Sequence, residues 1–213
     1  MAIAGEQFPF AVCPVRLPGR ESRLAETPFE RMRPLVEALE TAIEAYFDRP
    51  FAFFGHSMGA IVAFELTRRL RQQGKPLPHV LIASAARAPQ FRRGHIPPPD
   101  PSPEQFLDEL RRRQGMPPEV FADPALLRAL LPAMAADAAL YRRYVYTEDE
   151  PLPCPIRAYG GVADPDIHRE HLEPWAEQTT ASFAMRIFPG GHFYLRDAPG
   201  FAAALCEDFQ DGA

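Results

Sequence analysis

Apolar residues recur along the chain in two rhythms. Short, mainly apolar runs occupy residues 10–16 (FAVCPVR), 51–54 (FAFF), 80–84 (VLIAS), 156–159 (IRAY) and 183–188 (FAMRIF). Runs of that length with little polar alternation predict strands of a parallel sheet buried on both faces. Between them the apolar positions fall every three or four residues. Leu35, Val36, Leu39, Ile43 and Phe47 predict a helix over about 30–47. Thr27-Pro28-Phe29-Glu30 ahead of it has the spacing of a capping box with proline at the first helical position. Further helices are expected over 59–73, with Ala63, Phe64, Thr67 and Leu70 on one side, and over 170–178 and 198–209. Strands alternating with helices predict an α/β fold: a mostly parallel sheet with helices on both faces.

One stretch breaks the alternation. Residues 97–103 (PPPDPSP) read as a proline-rich hinge. Ser102-Pro103-Glu104-Gln105 then opens a capped, charge-rich helix, EQFLDELRRRQ. Asp123-Pro124 opens another, running through ALLRALLPAMAADAALYRRYVY with a kink expected at Pro132. The block 102–146 carries no strand signal, so it is expected to be a helical lid inserted into the sheet.

A length of 213 residues with 46% apolar content fits one domain spanning 1–213. The net charge of -5 argues against nucleic acid as a target. Cys13, Cys154 and Cys206 are odd in number and far apart, which argues for a reducing compartment rather than a disulfide framework. No apolar run approaches the roughly 18 residues of a membrane span. MAIAGEQFPF lacks the basic and apolar regions of a signal peptide. The expected location is therefore cytoplasmic, away from membranes. The histidines lack ligand spacing with cysteines or carboxylates, so no metal or organic cofactor is expected.

Chemistry concentrates at Gly55-His56-Ser57-Met58-Gly59, between the run FAFF and an apolar-periodic segment. A serine hydroxyl is a poor nucleophile unless a base stands beside it and the substrate can reach it. A sharp strand-to-helix turn provides the exposure, and glycines two before and two after the serine remove clashes across that turn. With 13 glycines and five serines, chance supplies roughly 0.02 such matches, so an ordinary glycine turn is the weaker reading. Of six histidines, His56 adjoins the serine and cannot easily align for proton transfer. His79, His95, His168 and His171 read as solvated surface residues. His192 follows the run 183–188 in Pro189-Gly190-Gly191-His192, a loop able to place an imidazole at the carboxyl end of a strand, where active sites of open α/β sheets lie. It is the expected base. The orienting acid should end a strand between Ser57 and His192. Asp164, in Gly160-Gly161-Val162-Ala163-Asp164-Pro165, is favoured, with Asp166 as the alternative. Either aspartate could also serve only as a turn or N-cap residue.

Four segments in order, RLPGRESRL (16–24), FAFFGHSMGAIVAFEL (51–66), GGVADPD (160–166) and FPGGHFYL (188–195), resemble the type II thioesterases. These stand-alone α/β-hydrolases accompany polyketide and nonribosomal peptide synthetases. The resemblance runs from about Val12 to near the C-terminus, and the block 102–146 falls where that family has its lid. It implies hydrolysis of acyl groups from the phosphopantetheine thiol of acyl or peptidyl carrier proteins, an editing role. By position, Ser57 would take the acyl group, His192 would shuttle the proton and Asp164 would orient His192. The lid stripe Leu126, Leu127, Leu130, Leu131, Met134 and Tyr141 would cover the acyl chain, or pack as in any helix. Arg111, Arg112 and Arg113 read first as a solvated face, and second as a contact for an acidic carrier.

The resemblance also implies two backbone donors for the oxyanion. One is the N–H of Met58. The other belongs to a Phe-Pro-Tyr-Ala-Gly-Gly-type loop after a strand that should precede residue 10, a region where this sequence offers only Ala4-Gly5. A start codon upstream of Met1, or a shortened copy of the gene, would account for the difference. A general carboxylesterase and a weakly active or inactive carrier-binding copy are the alternative readings.

Overall fold

The computed structural model describes residues 9–112 and 118–210. Four strands, β1 (Phe53–His56), β2 (Leu81–Ser84), β3 (Ile156–Gly161) and β4 (Phe183–Phe188), form one sheet in the order β1-β2-β3-β4. Every pairing is parallel, with His56 opposite Ser84 and Gly161 opposite Phe188. The carboxyl ends of all four strands therefore lie along one edge, and the loops leaving them carry Ser57, Ala85, Val162 and Pro189.

The central strands β2 and β3 are buried at every residue, as unbroken apolar runs require. Side chains alternate across the sheet and divide the core. Leu81, Ala83, Ile156 and Ala158 pack with Ala60, Ile61 and Phe64 of α2 (Met58–Gln72) and with Trp175. Ile82 and Tyr159 pack on the opposite face with Phe188, Tyr194, Phe201 and Ala204, the last two on α7 (Phe201–Gln210). Helices on both faces are thus present. The Asp208 carboxylate of α7, paired with Arg186 and accepting the Tyr159 hydroxyl, ties that helix to β3 and β4.

Several expectations need correction. Residues 11–17 adopt no strand. A β-branched apolar run becomes a strand only beside a partner, and among the described residues no strand pairs with the outer edge of β1. Val12 and Val15 are accordingly exposed. The run at 51–54 begins its strand two residues later than expected and supplies an edge, with Phe54 41% exposed. The Thr27–Glu30 spacing does not start a helix. α1 (Met32–Ile43) begins after Arg31, which caps it with no side-chain bond, and a 3-10 turn (Glu44–Tyr46) finishes it. Pro34 sits in the first turn of α1, where no backbone N–H needs an intrahelical acceptor.

The block between β2 and β3 is helical: α3 (Pro103–Arg112), α4 (Pro118–Ala122) and α5 (Pro124–Arg143). Its starts follow the sequence. The Gln105 N–H donates to the Ser102 hydroxyl while the Ser102 N–H donates to the Gln105 side chain. The Asp123 carboxylate accepts from the N–H groups of Ala125 and Leu126. Pro132 lies inside α5. The buried residues of α5 are Ala133, Ala136, Ala139 and Leu140, from its midpoint onward, whereas Leu126 in its first turn is exposed. The expected helix over 170–178 is shorter, α6 (Arg169–Leu172), followed by a 3-10 turn (Glu173–Gln178).

Candidate active site

Ser57 stands between the last residue of β1 and the first of α2, at φ 55° and ψ −120°. A non-glycine residue in that region carries strain of about 1–3 kcal/mol, which the surroundings must hold in place. One restraint is the Ser57 N–H, which donates to the Ser84 carbonyl at 2.7 Å. Another is packing. A Cβ on Gly55 would lie 2.2 Å from the Gly59 carbonyl oxygen and 2.6 Å from Ala60 Cα, so strand and helix meet only because residue 55 has no side chain. Gly59 differs from expectation, since a Cβ there would meet nothing within 4 Å. The close approach is between the side-chain position of residue 55 and the backbone of residue 59. Gly55→Ala is therefore expected to cost about 1–3 kcal/mol of stability as an overpacked site. Gly59→Ala, in the first turn of α2, should change it by less than about 1 kcal/mol. Thermal unfolding of the two variants checks the contrast.

The same device places His192. Gly161 ends β3, and a Cβ on it would lie 2.3 Å from the Gly191 carbonyl oxygen and 2.7 Å from that of Gly190. The loop after β4 can therefore rest against the end of β3, with the Ala163 N–H donating to the Gly190 carbonyl at 2.9 Å. His192 on that loop is 7% exposed. Its Nδ1–H donates to Asp164 Oδ2 at 2.7 Å, which leaves Nε2 as the acceptor for the Ser57 hydroxyl at 3.0 Å.

Asp164 is 2% exposed. Burial alone would raise its pKa. The His192 hydrogen bond and the N–H groups of Asp166 and Ile167, which both donate to Oδ1, outweigh that and hold the carboxyl below its ordinary 3.8. The charge is thus present at neutral pH. Its contribution to stability is complete above the unfolded value and lost as pH falls through the lower folded one. The turn role and the line to His192 coexist in this one residue. Asp166 does not reach the imidazole line; its carboxylate pairs with Arg112 of α3 at 3.1 Å.

Met58 is the first residue of α2, and the N–H groups of a first helical turn have no intrahelical acceptor. It therefore presents a donor, with the positive end of the helix behind it, on the same turn as the Ser57 hydroxyl. Ala4 and Gly5, read from the sequence as a thin replacement for a second donor loop, lie outside the described residues.

Other expectations resolve differently. His56 is partly buried: burial, then the neighbouring His192, push its pKa down to about 3. His79 Nε2 lies 2.9 Å from the Phe209 carbonyl, and His95 Nε2 lies 2.8 Å from Arg92 and 3.1 Å from the Arg142 carbonyl. Arg111 pairs with Asp108 and covers the Phe121 ring, so with Arg112 it serves contacts inside the chain. Arg113 lies outside the described residues. A groove of about 580 Å³ between α3 and α5 is lined by Phe106, Leu131, Ala135, Ala136 and Ala139, with Arg142 and Arg143 at its rim. None of Ser57, Met58 and His192 lines it, so it is separate from the serine. Missed in the sequence were Ser84 and Tyr194. The Ser84 hydroxyl lies 2.9 Å from His56 Nδ1 and 2.6 Å from the Tyr194 hydroxyl. A lone polar residue closing the apolar run VLIAS was the available signal.

Among the described residues no cluster of three or more His, Cys, Asp or Glu side chains forms a metal site, and no helix is long and apolar enough to cross a membrane.

A parallel sheet with helices on both faces, and a strained serine between a strand and a helix, is the architecture of an α/β-hydrolase. Residues 4–211 match the family model of the Thioesterase domain, and the chain belongs to that family, within its type II branch. It is a hydrolase of thioester bonds. It is 40% identical over 190 residues to the gramicidin S biosynthesis protein GrsT of Aneurinibacillus migulanus, spanning 88% of this chain and 73% of that one. Among solved structures it is similar to the RedJ thioesterase of the prodiginine pathway in Streptomyces coelicolor. That match has a TM-score of 0.85 and 36% identity, and covers 93% of this chain and 79% of the other. The type II thioesterase BorB of the borrelidin cluster matches with a TM-score of 0.79 and 36% identity, over 91% and 79% of the two chains.

Proposed function

We propose that this thioesterase removes acyl groups from the phosphopantetheine thiol of carrier proteins, with Ser57 as nucleophile, His192 as base and Asp164 as the group orienting His192. The hydrogen-bonded line from Asp164 through His192 to Ser57 carries the assignment of roles. His192 Nε2 takes the Ser57 proton as the oxygen attacks the thioester carbonyl. The Met58 N–H faces the developing oxyanion. The carrier thiol leaves with the proton from His192. Water, deprotonated by the same nitrogen, then attacks the acyl-serine; His192 returns that proton to the departing Ser57 oxygen, and the acid is released.

The carrier-bound substrate class draws its support from the relatives, whose names place them in gramicidin S, prodiginine and borrelidin biosynthesis. In this reading the chain is one cytoplasmic domain, and the helices within 102–146 form a lid over the acyl chain. The half-exposed leucines in the first half of α5 suit that role, since a lid must keep apolar surface for its substrate. The test compares three substrates bearing the same acyl group: an acyl-carrier protein, an acyl-pantetheine thioester and a p-nitrophenyl ester. The expected order of kcat/KM is carrier first, free thioester second and ester last. A preference for the free ester, unimproved by carrier, would overturn the proposal in favour of a general carboxylesterase.

A further inference from the structure

The residue before the nucleophile has no task in the reaction just described, yet it is built into the site. His56 closes β1, and its ring lies edge-on to the His192 ring with centroids 5.1 Å apart. Its Nδ1 meets the Ser84 hydroxyl at 2.9 Å, and that hydroxyl meets the Tyr194 hydroxyl at 2.6 Å. Ser84 is wholly buried and Tyr194 is 3% exposed, so these are polar groups held without solvent.

The three residues come from three places. His56 ends β1, Ser84 ends β2, and Tyr194 lies two residues past His192 on the loop after β4. Ser84 is the junction. Its carbonyl holds the Ser57 N–H, and its hydroxyl joins His56 to the base loop. Tyr194 is fixed in turn, stacked on Phe188 with ring planes within 5° and packed against Phe201. Nucleophile and base sit on segments that are 135 residues apart in sequence. The chain is a direct link between those segments, buried at Ser84 and Tyr194 and separate from the Ser57–His192 contact itself.

The charge state suits this use. Burial and the nearby His192 keep His56 neutral down to about pH 3. It therefore adds no positive charge beside the imidazolium that forms on His192 during acyl transfer. Burial likewise keeps the Tyr194 phenol protonated well above its ordinary range, so it remains a hydroxyl donor.

We propose that His56, Ser84 and Tyr194 are positioning residues, a hydrogen-bonded chain that fixes the His192 loop against the nucleophile elbow. The proposal rests on Ser57 and His192 acting as nucleophile and base. A small misplacement of either group costs rate without weakening substrate binding.

The test uses the full chain with Tyr194→Phe, Ser84→Ala and the double variant. Both single changes remove one hydroxyl and little volume. Each is expected to lower kcat for an acyl-pantetheine thioester about tenfold, with KM within about twofold. The rate of Ser57 phosphonylation by a fluorophosphonate should fall in the same proportion. Because the two residues serve one chain, the double variant should fall no further than the worse single. For His56, asparagine, which can keep a polar group near the Nδ1 position, should retain more rate than leucine. Unchanged kcat with only a lowered melting temperature would overturn the proposal, as would multiplicative losses in the double variant or a loss confined to KM. Failure of the underlying assignment looks different: wild-type Ser57 would not be phosphonylated at all.

Discussion

Replacing Ser57 with alanine is expected to lower thioester hydrolysis by about 10⁴-fold or more, to the level that binding and oxyanion contacts sustain alone. The loss should appear in kcat and leave the fold intact, because the Ser57 hydroxyl makes no core contact. Its restraints are the backbone N–H bond to Ser84 and the absence of a side chain at Gly55. Alanine keeps the backbone strain at φ 55°, so circular dichroism and melting temperature should stay close to the parent. Steady-state kinetics with an acyl-pantetheine thioester, alongside thermal unfolding, checks both halves. A variant that keeps a tenth of the parental rate would exclude Ser57 as the nucleophile.

The second large effect separates two neighbouring aspartates. Asp164→Asn should lower kcat by about 10⁴-fold, because an amide at that position no longer holds the His192 Nδ1–H and the wrong tautomer faces Ser57. Asp166→Asn weakens a half-exposed pair with Arg112, a contact worth about 0–1 kcal/mol, and should leave kcat within about threefold of the parent. Measuring kcat for the two amides side by side decides the matter. Comparable losses in both would mean that the turn 164–166, rather than the Asp164 charge, is what His192 needs.

The site was legible because its residues are punctuated by backbone requirements. Gly55, Gly161, Gly190 and Gly191 mark where strand ends and loops approach within contact distance, and such glycines are visible in a sequence. The order of elements was legible for a related reason: unbroken apolar runs such as VLIAS belong in the middle of a parallel sheet. What failed were features decided elsewhere in the molecule. Residues 10–16 have strand composition but no strand beside them. Thr27–Glu30 has a capping spacing, yet α1 starts at Met32, where Leu35, Val36 and Leu39 can pack on Val62, Leu66 and Leu70 of α2. Tertiary packing overrode a local signal there. His56 adjoins Ser57 in sequence, yet the imidazole nitrogen at the Ser57 hydroxyl is His192 Nε2. The hydrogen-bonded setting of His56 was invisible, because Ser84 and Tyr194 come to it from residues 28 and 138 positions further along.

The central claim is that one activated serine, Ser57, carries the hydrolysis of thioesters. Its most direct test is to treat the protein with a fluorophosphonate, follow residual acyl-pantetheine hydrolysis, and map the adduct by peptide mass spectrometry. The expected result is loss of activity in step with the attachment of one phosphonyl group per chain, on the peptide carrying Ser57. An adduct on another residue, or a chain fully labelled at Ser57 that still hydrolyses the thioester, would contradict it.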